Sequence, residues 1–419
     1  MHDPYLTTPY SSAALASMAS VKRLCVVQPH LSNASREMFL ELSEYCPIDL
    51  VVSPEPEDMG FKVAAVAEGP RLRRFYGPTS GKRLRIQWNV LNYILMPGER
   101  PEALLLNADP HYLTFWIALL WARAHGIPAY VHGHGFYRRA RISASYKWMM
   151  AAMLRLVTCY ICYAPIVRQA FLNNGFSGRK LAVAHNSLIN RFPVMPQEKT
   201  GTETGILFIG RLRRESRVEL LMRVAERIRR EDGLPLTLHV VGDGEEAEAL
   251  RAQARACPWV VFHGGIYDAE RIREISLACF AGCYPGKAGL SVVHLMSLSL
   301  PAITHNNLQA HGPEPSFIRD GVSGVLYDHA DPEPSLYQEL RVLARDPAKL
   351  AEMQRNAFAD YQRLAHPSLA EKLWAIIGDG EARGCVTPDR ETPGYETHDR
   401  AGVSVGASDE ASSAPELFL

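Results

Sequence analysis

The fold is decided by residues 205–250, GILFIGRLRRESRVELLMRVAERIRREDGLPLTLHVVGDGEEAEAL. In this stretch, residues 205–209 and 236–241 are short apolar runs typical of buried strands, and residues 215–229 between them have the apolar spacing of an amphipathic helix. A strand, a helix and a second strand in this order form a unit whose strands lie parallel. The stretch therefore predicts a parallel sheet covered by helices.

The same alternation continues on both sides of this stretch. Downstream, we predict helices at residues 245–254, from 268 and at 289–298, and strands at 260–263, 279–284 and 302–304. Upstream, apolar runs alternate with helical patterns from residue 21 to 188. A chain of 419 residues is also too long for one ordinary core. We therefore predict an α/β fold with two Rossmann-like domains that face a cleft.

The domain boundaries follow from changes in composition. We expect a flexible N-terminus at residues 1–20, an N-terminal domain at 21–190, a linker at 191–204, a C-terminal domain at 205–365, a closing helix at 366–379 and a disordered tail at 380–419. The linker is rich in Pro, Gly, Thr and Lys. The tail is rich in Gly, Ser, Pro and acidic residues and lacks apolar periodicity.

Charge and hydropathy bear on the partners and on the location of the protein. Lys and Arg together number 45, as do Asp and Glu, so no overall basic field favours binding to nucleic acid. No apolar run approaches the length that spans a bilayer, and the first residues lack the pattern of a signal peptide. We expect a cytoplasmic protein, soluble or peripheral to the inner face of the plasma membrane.

Cys159 and Cys162 form a C-x-x-C pair, a spacing found in redox and zinc sites. They lie in the apolar run 156–163, which is typical of a buried strand, and no second cysteine pair completes a zinc site. We interpret them as core residues, with redox or metal chemistry as the alternative.

Loops that follow predicted strands are where open α/β sheets bind ligands. After the first strand of the C-terminal half, Gly210 allows a tight turn, and Arg211 offers a guanidinium that suits a diphosphate and would stabilise a leaving nucleotide. A surface arginine at a basic helix start is the alternative. After the second strand, Gly242 permits the close approach of a ligand, although such loops are common in α/β folds.

A third loop, residues 284–290, leads into a buried helix. Gly289 and Leu290 open this helix, so their free N–H groups can face a phosphate. His294 lies about one turn further on among apolar residues, where a histidine needs a polar partner. A satisfied core histidine is the alternative interpretation.

Several motifs of the C-terminal half occur together in a known order. They are Gly210-Arg211-Leu212, Val241-Gly242-Asp243-Gly244, Gly289-Leu290, Leu300 to Thr304, Pro313-Glu314 and Asp320 to Gly324. In these motifs, residues 205–330 resemble the nucleotide-binding domain of the family 4 glycosyltransferases, which are retaining enzymes of the GT-B architecture. The resemblance implies a hexosyltransferase whose donor is a nucleotide sugar.

The sequence departs from this family at three positions. Gly286 and His294 stand where the family has two glutamates, which contact the donor sugar and the ribose, and Ser216 replaces a lysine beside Arg217. The resemblance implies that His294 is a substitute partner for the ribose and that Glu314 helps to orient the nucleoside. The donor site is expected to contain Gly210, Arg217, Gly242, Gly286, Gly289, Leu290, His294 and Glu314.

The N-terminal half carries His132-Gly133-His134-Gly135 at the end of a predicted strand. His134-Gly135 resembles the family's His-Gly at the cleft, which touches the donor sugar, and this implies that His134 acts with Arg211 as a catalytic residue. We expect His132 to support the loop. A metal pair, because alternate strand residues share a face, and two ordinary loop histidines are the alternatives.

No metal or other cofactor is expected. The chain contains no Asp-x-Asp, the oxygen pair with which many transferases hold a divalent ion. Arg211 and helix N–H groups would take the place of the cation.

Residues 137–150 combine basic and large apolar side chains, among them Tyr137, Arg138, Lys147 and Trp148. Such a segment could rest on an anionic membrane, where a lipid-linked acceptor would lie, or it could be an ordinary helix with a solvated basic start. We expect transfer of a hexose from a UDP- or GDP-sugar to a lipid-linked saccharide in bacterial surface polysaccharide synthesis. The alternatives are a sugar-nucleotide isomerase or hydrolase, and a non-catalytic partner subunit that binds sugar nucleotides.

Overall fold

The computed structural model describes residues 21–378, except residues 32, 54–70, 82–83, 97, 99 and 140. The expected flexible N-terminus at residues 1–20 and the expected tail at residues 380–419 lie outside the described residues.

The N-terminal domain is built on a seven-stranded parallel sheet. Its strands are β1 (Leu24–Gln28), β2 (Ile48–Val52), β3 (Leu72–Tyr76), β6 (Ala103–Asn107), β7 (Ala129–Gly133), β8 (Cys159–Cys162) and β9 (Leu181–Val183), and β4 (Thr79–Ser80) pairs separately with β5 (Ile86–Gln87). The helices are α1 (Asn33–Tyr45), α2 (Trp88–Leu95), α3 (Leu113–Ala124), α4 (Ala144–Leu156) and α5 (Pro165–Asn173). The order β3-β2-β1-β6-β7-β8-β9 places a switch point between β1 and β6.

The C-terminal domain repeats this topology with six parallel strands. They are β10 (Gly205–Ile209), β11 (Thr237–Val241), β12 (Val260–Gly264), β13 (Cys279–Cys283), β14 (Ala302–His305) and β15 (Gly324–Tyr327), in the order β12-β11-β10-β13-β14-β15. The helices are α6 (Val218–Asp232), α7 (Ala247–Gln253), α8 (Ala269–Leu277), α9 (Ser291–Ser297), α10 (Pro332–Arg345) and α11 (Pro347–Ala365). The prediction of two Rossmann-like α/β domains is confirmed.

One predicted helix starts later than its apolar spacing indicates. We expected the helix after β10 to begin at residue 215, but α6 begins at Val218 after a 3₁₀ turn at Arg214–Ser216. Arg217 between them has a φ of 53°, in the left-handed region, and this breaks the continuity of the helix.

A last helix, α12 (Leu369–Gly378), returns to the N-terminal domain. Leu373 and Trp374 are buried in one cluster with the strands of the first sheet, and the Ser368 hydroxyl donates a hydrogen bond to Glu41 Oε1 at 2.6 Å. Burial of these large apolar side chains stabilises the contact between the end of the chain and its first domain.

Cys159 and Cys162 are both buried in β8. Burial raises the pKa of the Cys162 thiol well above its usual range, which disfavours the reactive thiolate. Among the described residues, no helix combines the length and the apolar character needed to cross a membrane.

Candidate active site

The loops after β10, β11 and β13 lie at one edge of the C-terminal sheet, because parallel strands bring their carboxyl ends to the same side. The Gly210 N–H donates a hydrogen bond to the Val241 carbonyl at 3.0 Å, and the Lys287 N–H donates to the Glu215 carbonyl at 3.0 Å. These bonds tie the loop after β10 to both of its neighbours. The three loops predicted from the sequence therefore form one connected surface.

Close packing of the main chain requires two of the glycines in these loops. A Cβ on Gly242 would lie 1.8 Å from the Gly210 carbonyl oxygen, and one on Gly286 would lie 1.7 Å from the Glu215 carbonyl oxygen. At Gly289, by contrast, the nearest atom to a Cβ would be 3.6 Å away. Gly242 and Gly286 thus shape the loops, whereas Gly289 leaves space beside the start of α9.

The turn that carries Arg211 is held from inside by Ser216. The buried Ser216 hydroxyl donates a hydrogen bond to the Arg211 carbonyl at 2.5 Å and accepts one from the Arg213 N–H at 3.2 Å. Burial, followed by neighbouring charges that include Arg217, lowers the pKa of His305 to about 3. Ser216 therefore shapes the turn that carries Arg211.

The start of α9 offers unused hydrogen-bond donors. The N–H groups of Gly289, Leu290 and Ser291 make no hydrogen bond to any described residue. Consecutive free donors of this kind suit anionic oxygen atoms. The imidazole of His294, one turn further on, also makes no hydrogen bond within the described part of the chain. Burial lowers the pKa of His294 to about 4, so the ring is neutral at pH 7.

His311, which the sequence did not single out, holds the loop before α9. The Ala288 N–H donates to His311 Nδ1 at 3.0 Å, and His311 Nε2 donates to the His305 carbonyl at 2.9 Å. The Gly312 N–H completes the contact by donating to the Ala288 carbonyl at 2.8 Å. Burial lowers the pKa of His311 to about 4, and the two bonds place its one hydrogen on Nε2. The residue that precedes Gly289 is thereby fixed.

Glu314 lies where the two domains meet. Its side chain is 3% exposed, and Oε1 accepts a hydrogen bond from Asn186 Nδ2 at 2.5 Å. Its Oε2 lies 3.6 Å from the Cβ position of Gly289, so the carboxyl group is beside the loop that precedes α9. The expected role of Glu314 in orienting the nucleoside, together with His294, stays a prediction. Burial raises the pKa of Glu314 to about 7.

His134 follows β7 in the N-terminal domain and is open to solvent. Its Nδ1 lies 3.1 Å from the Gly135 carbonyl, which places the hydrogen of the neutral ring on Nδ1 and leaves Nε2 as an acceptor. Partial desolvation, followed by the charge of Arg138, lowers the pKa of His134. His132, in contrast, is buried and packs on Tyr163 with ring centroids 4.2 Å apart.

Tyr137 and Arg138 connect the His134 loop to the C-terminal domain. The Tyr137 hydroxyl and Arg138 Nε both donate hydrogen bonds to the His311 carbonyl, the latter at 2.8 Å. The sequence-based interpretation put Tyr137 in a segment that could touch a membrane. That interpretation is wrong for Tyr137, because the residue is buried between the domains.

Comparison with known proteins supports one architecture. Residues 203–346 match a family model described as "Glycosyl transferases group 1". Anabaena HepE, solved with UDP and glucose, superposes with a TM-score of 0.61 at 14% identity, over 84% of this chain and 98% of its own. A structure of TarM gives 0.63 at 12% identity over the same shares, and the lipopolysaccharide galactosyltransferase WaaB gives 0.53 at 13% over 82% and 99%. No curated protein matches the sequence.

The chain has the GT-B architecture, and its residues 203–346 match the group 1 glycosyl transferases.

The residues assigned to the donor from the sequence occupy the carboxyl edge of the second sheet. Those in or at the ends of its loops are Gly210, Arg211, Arg217, Gly242, Gly286, Gly289 and Leu290, with His294 one turn inside α9. Their roles stay predictions. Within the described residues, no three His, Cys, Asp or Glu side chains form a group that could hold a metal ion.

Asn186 and His311 were not predicted from the sequence, and Tyr137, Arg138 and Glu314 were named without their contacts between the domains. Across the domain contact, the His311 carbonyl accepts hydrogen bonds from Tyr137 and Arg138. Glu314 accepts one from Asn186. The only available signal was the polar group His311-Gly312-Pro313-Glu314 directly after a strand and a short loop. That pattern does not reveal which partner lies opposite.

Proposed function

We propose that the protein is a retaining, metal-independent hexosyltransferase that uses a UDP- or GDP-sugar. The observation that carries this proposal is the set of unused N–H groups at Gly289, Leu290 and Ser291, which share one edge with the Arg211 turn. These groups would hold the diphosphate of the donor and stabilise the charge that develops as the nucleotide leaves. HepE has been solved with UDP-glucose, and this supports a UDP-sugar as the first donor to test.

Histidines would orient the rest of the donor. His134 Nε2 is an acceptor in the neutral ring and can receive a sugar hydroxyl near the reacting carbon. The neutral His294 has no hydrogen-bond partner in the described chain and can contact the ribose. Closure of the domains around Tyr137, Arg138 and His311 would exclude water from the sugar, which favours transfer over hydrolysis.

The acceptor is proposed to be a lipid-linked saccharide in bacterial surface polysaccharide synthesis, met at the cytoplasmic face of the membrane. WaaB, a lipopolysaccharide outer core galactosyltransferase, supports this class of acceptor by its fold. On α4, Trp148 is 72% exposed, and Lys147 and Arg155 are also exposed. An aromatic side chain beside basic ones suits an anionic lipid surface. Trp148→Ala should then reduce flotation with anionic vesicles, whereas Leu95→Ala, at another exposed apolar residue, should not.

The first experiment is a thermal-shift screen against UDP, GDP and their sugars, because a ligand of the folded state raises the melting temperature. Transfer to an acceptor extract follows with the donor that binds. Arg211→Met should lower kcat by about 10²–10³, the usual loss when one donor to a developing charge is removed. Arg214→Met is the matched control, since Arg214 is an exposed arginine of the same loop.

Other outcomes would contradict parts of the proposal. An absolute requirement for Mg²⁺ or Mn²⁺ would overturn metal independence, and inversion at the anomeric carbon of the product would overturn retention. Conversion of the donor to an epimer or free sugar without acceptor would indicate an isomerase or hydrolase. Nucleotide binding without transfer to any acceptor, and polysaccharide production that survives loss of Arg211, would indicate a non-catalytic partner subunit.

A further inference from the structure

We propose that Glu314 takes up a proton when the donor diphosphate binds beside Gly289, so that donor binding is linked to protonation of this carboxyl group. The proposal rests on the proposed function, which places the diphosphate at the loop before α9. It adds a role for Glu314 that the family resemblance does not supply.

The position of the carboxyl group carries the argument. Oε1 accepts a hydrogen bond from the Asn186 amide, a neutral donor, and Oε2 faces the main chain of Gly289 and Gly312. A Cβ on Gly289 would lie 3.6 Å from Oε2, so phosphate oxygens on the neighbouring N–H groups would bring negative charge close to this carboxylate. Two like charges at such separations disfavour each other's charged forms, and the carboxylate can relieve the repulsion by binding a proton.

The surroundings of Glu314 favour protonation of its carboxylate more than those of an exposed carboxylate would. The side chain is 3% exposed, and burial already raises its pKa to about 7 before any ligand is bound. The charged and titratable groups near it are Arg138, which lowers the pKa of Glu314, and the phenols of Tyr137 and Tyr163. Burial raises the pKa of Tyr137 to about 12 and that of Tyr163 further, so both phenols stay neutral and neither supplies the proton. The proton therefore comes from solvent.

Proton uptake has a consequence for the closed domains. A protonated Glu314 keeps its carbonyl oxygen as an acceptor for Asn186 and gains an O–H donor on the other oxygen. The bond between the domains is preserved while the repulsion of the diphosphate is removed. When Glu314 is protonated, the donor can bind while the Asn186–Glu314 hydrogen bond is retained.

The experiment is calorimetric titration of the full chain with UDP-glucose, whose two phosphates stay ionised throughout. At pH 8.0, binding in two buffers of different ionisation enthalpy should reveal an uptake that approaches one proton per donor bound, and affinity should fall about tenfold per pH unit above pH 7. Glu314→Gln imitates the protonated group and should abolish both the uptake and the pH dependence. Glu41→Gln is the control, because burial also raises the pKa of Glu41, which bonds Ser368 far from the donor loops.

The outcomes separate this proposal from the one on which it rests. Tight binding of UDP-glucose to the wild-type protein without proton uptake would overturn the role of Glu314 and leave the proposed function standing. Failure of UDP-glucose and of every other UDP- and GDP-sugar in the thermal-shift screen to bind would overturn the proposed function and this proposal with it. Uptake that persists in Glu314→Gln would assign the proton to another group and refute the proposal. The wild-type measurement decides the question even if the variant does not fold.

Discussion

Replacing His311 with leucine is the most informative perturbation of the site. The substitution leaves the Ala288 N–H without its acceptor and the His305 carbonyl without its donor, and both groups are buried. Each buried polar group that loses its partner costs about 1–3 kcal/mol, so the variant should lose about 2–6 kcal/mol of unfolding free energy. For a domain of this size, each kcal/mol lowers the melting temperature by roughly 2–4 °C.

The functional effect should be separable from the loss of stability. Asparagine at position 311 can offer an oxygen near the place of Nδ1 and so restore the acceptor for the Ala288 N–H. Glutamine can place an amide near Nε2 and restore the donor to the His305 carbonyl instead. If the Ala288–Gly289 loop binds the donor, His311→Asn should recover the KM for the donor better than His311→Gln, even where their melting temperatures are similar.

Thermal unfolding and steady-state kinetics with varied donor concentration measure the two effects. His329→Leu is the control, since this exposed ring packs on His305 with centroids 4.5 Å apart but holds no part of the loop. An unchanged melting temperature in His311→Leu would refute the bonding scheme. A lowered melting temperature with an unchanged donor KM would refute the assignment of the donor to this loop.

Three further predictions concern stability and loop packing. The folded-state pKa of Glu314, about 7, lies above its ordinary value of 4.5. The stabilising contribution of this group is therefore complete below pH 4.5 and is lost as pH rises through 7. Glu314→Gln should have a higher melting temperature than the wild type at about pH 8, and the difference should shrink towards about pH 5. Asp49→Asn removes the charge of a buried carboxylate that accepts two hydrogen bonds at 2.7 Å from the half-exposed Arg73. Denaturant unfolding should show a loss of about 1.5–3 kcal/mol, and an unchanged midpoint would contradict the contact. Gly286→Ala places a Cβ against the Glu215 carbonyl, so calorimetry should find weaker donor binding. Wild-type affinity in this variant would show that the loops after β10 and β13 are not packed as described.

Local pattern was sufficient for the secondary structure and for the loops at the carboxyl edge. The apolar periodicity of strands and helices depends on neighbouring residues. The need for small residues where a strand turns into a loop, as at Gly210 and Gly242, is likewise visible in the local sequence. The start of α6 was not predicted correctly from local pattern. Its apolar spacing begins earlier than the helix does, because the left-handed backbone of Arg217 is set by the turn around Ser216.

The contacts between the domains could not be read from the sequence. Tyr137 and His311 are 174 positions apart, and Asn186 and Glu314 are 128 apart. The basic and aromatic composition of residues 137–150 is compatible with a membrane surface and with an interdomain contact. Only the fold separates the buried Tyr137 from the exposed Trp148 in that segment.

By itself, the sequence determined two parallel sheets with helices on their faces and a row of glycine-containing loops where those sheets end, because each of these features depends on residues within a few positions of one another. The tertiary structure alone decided that His311 fixes the loop before α9 and that Glu314 lies beside Gly289. It also decided that Asn186, Tyr137 and Arg138 close onto them. The physical reason is that hydrogen bonds and desolvation depend on distance in space, which the packing of both domains sets and which separation along the chain does not reveal.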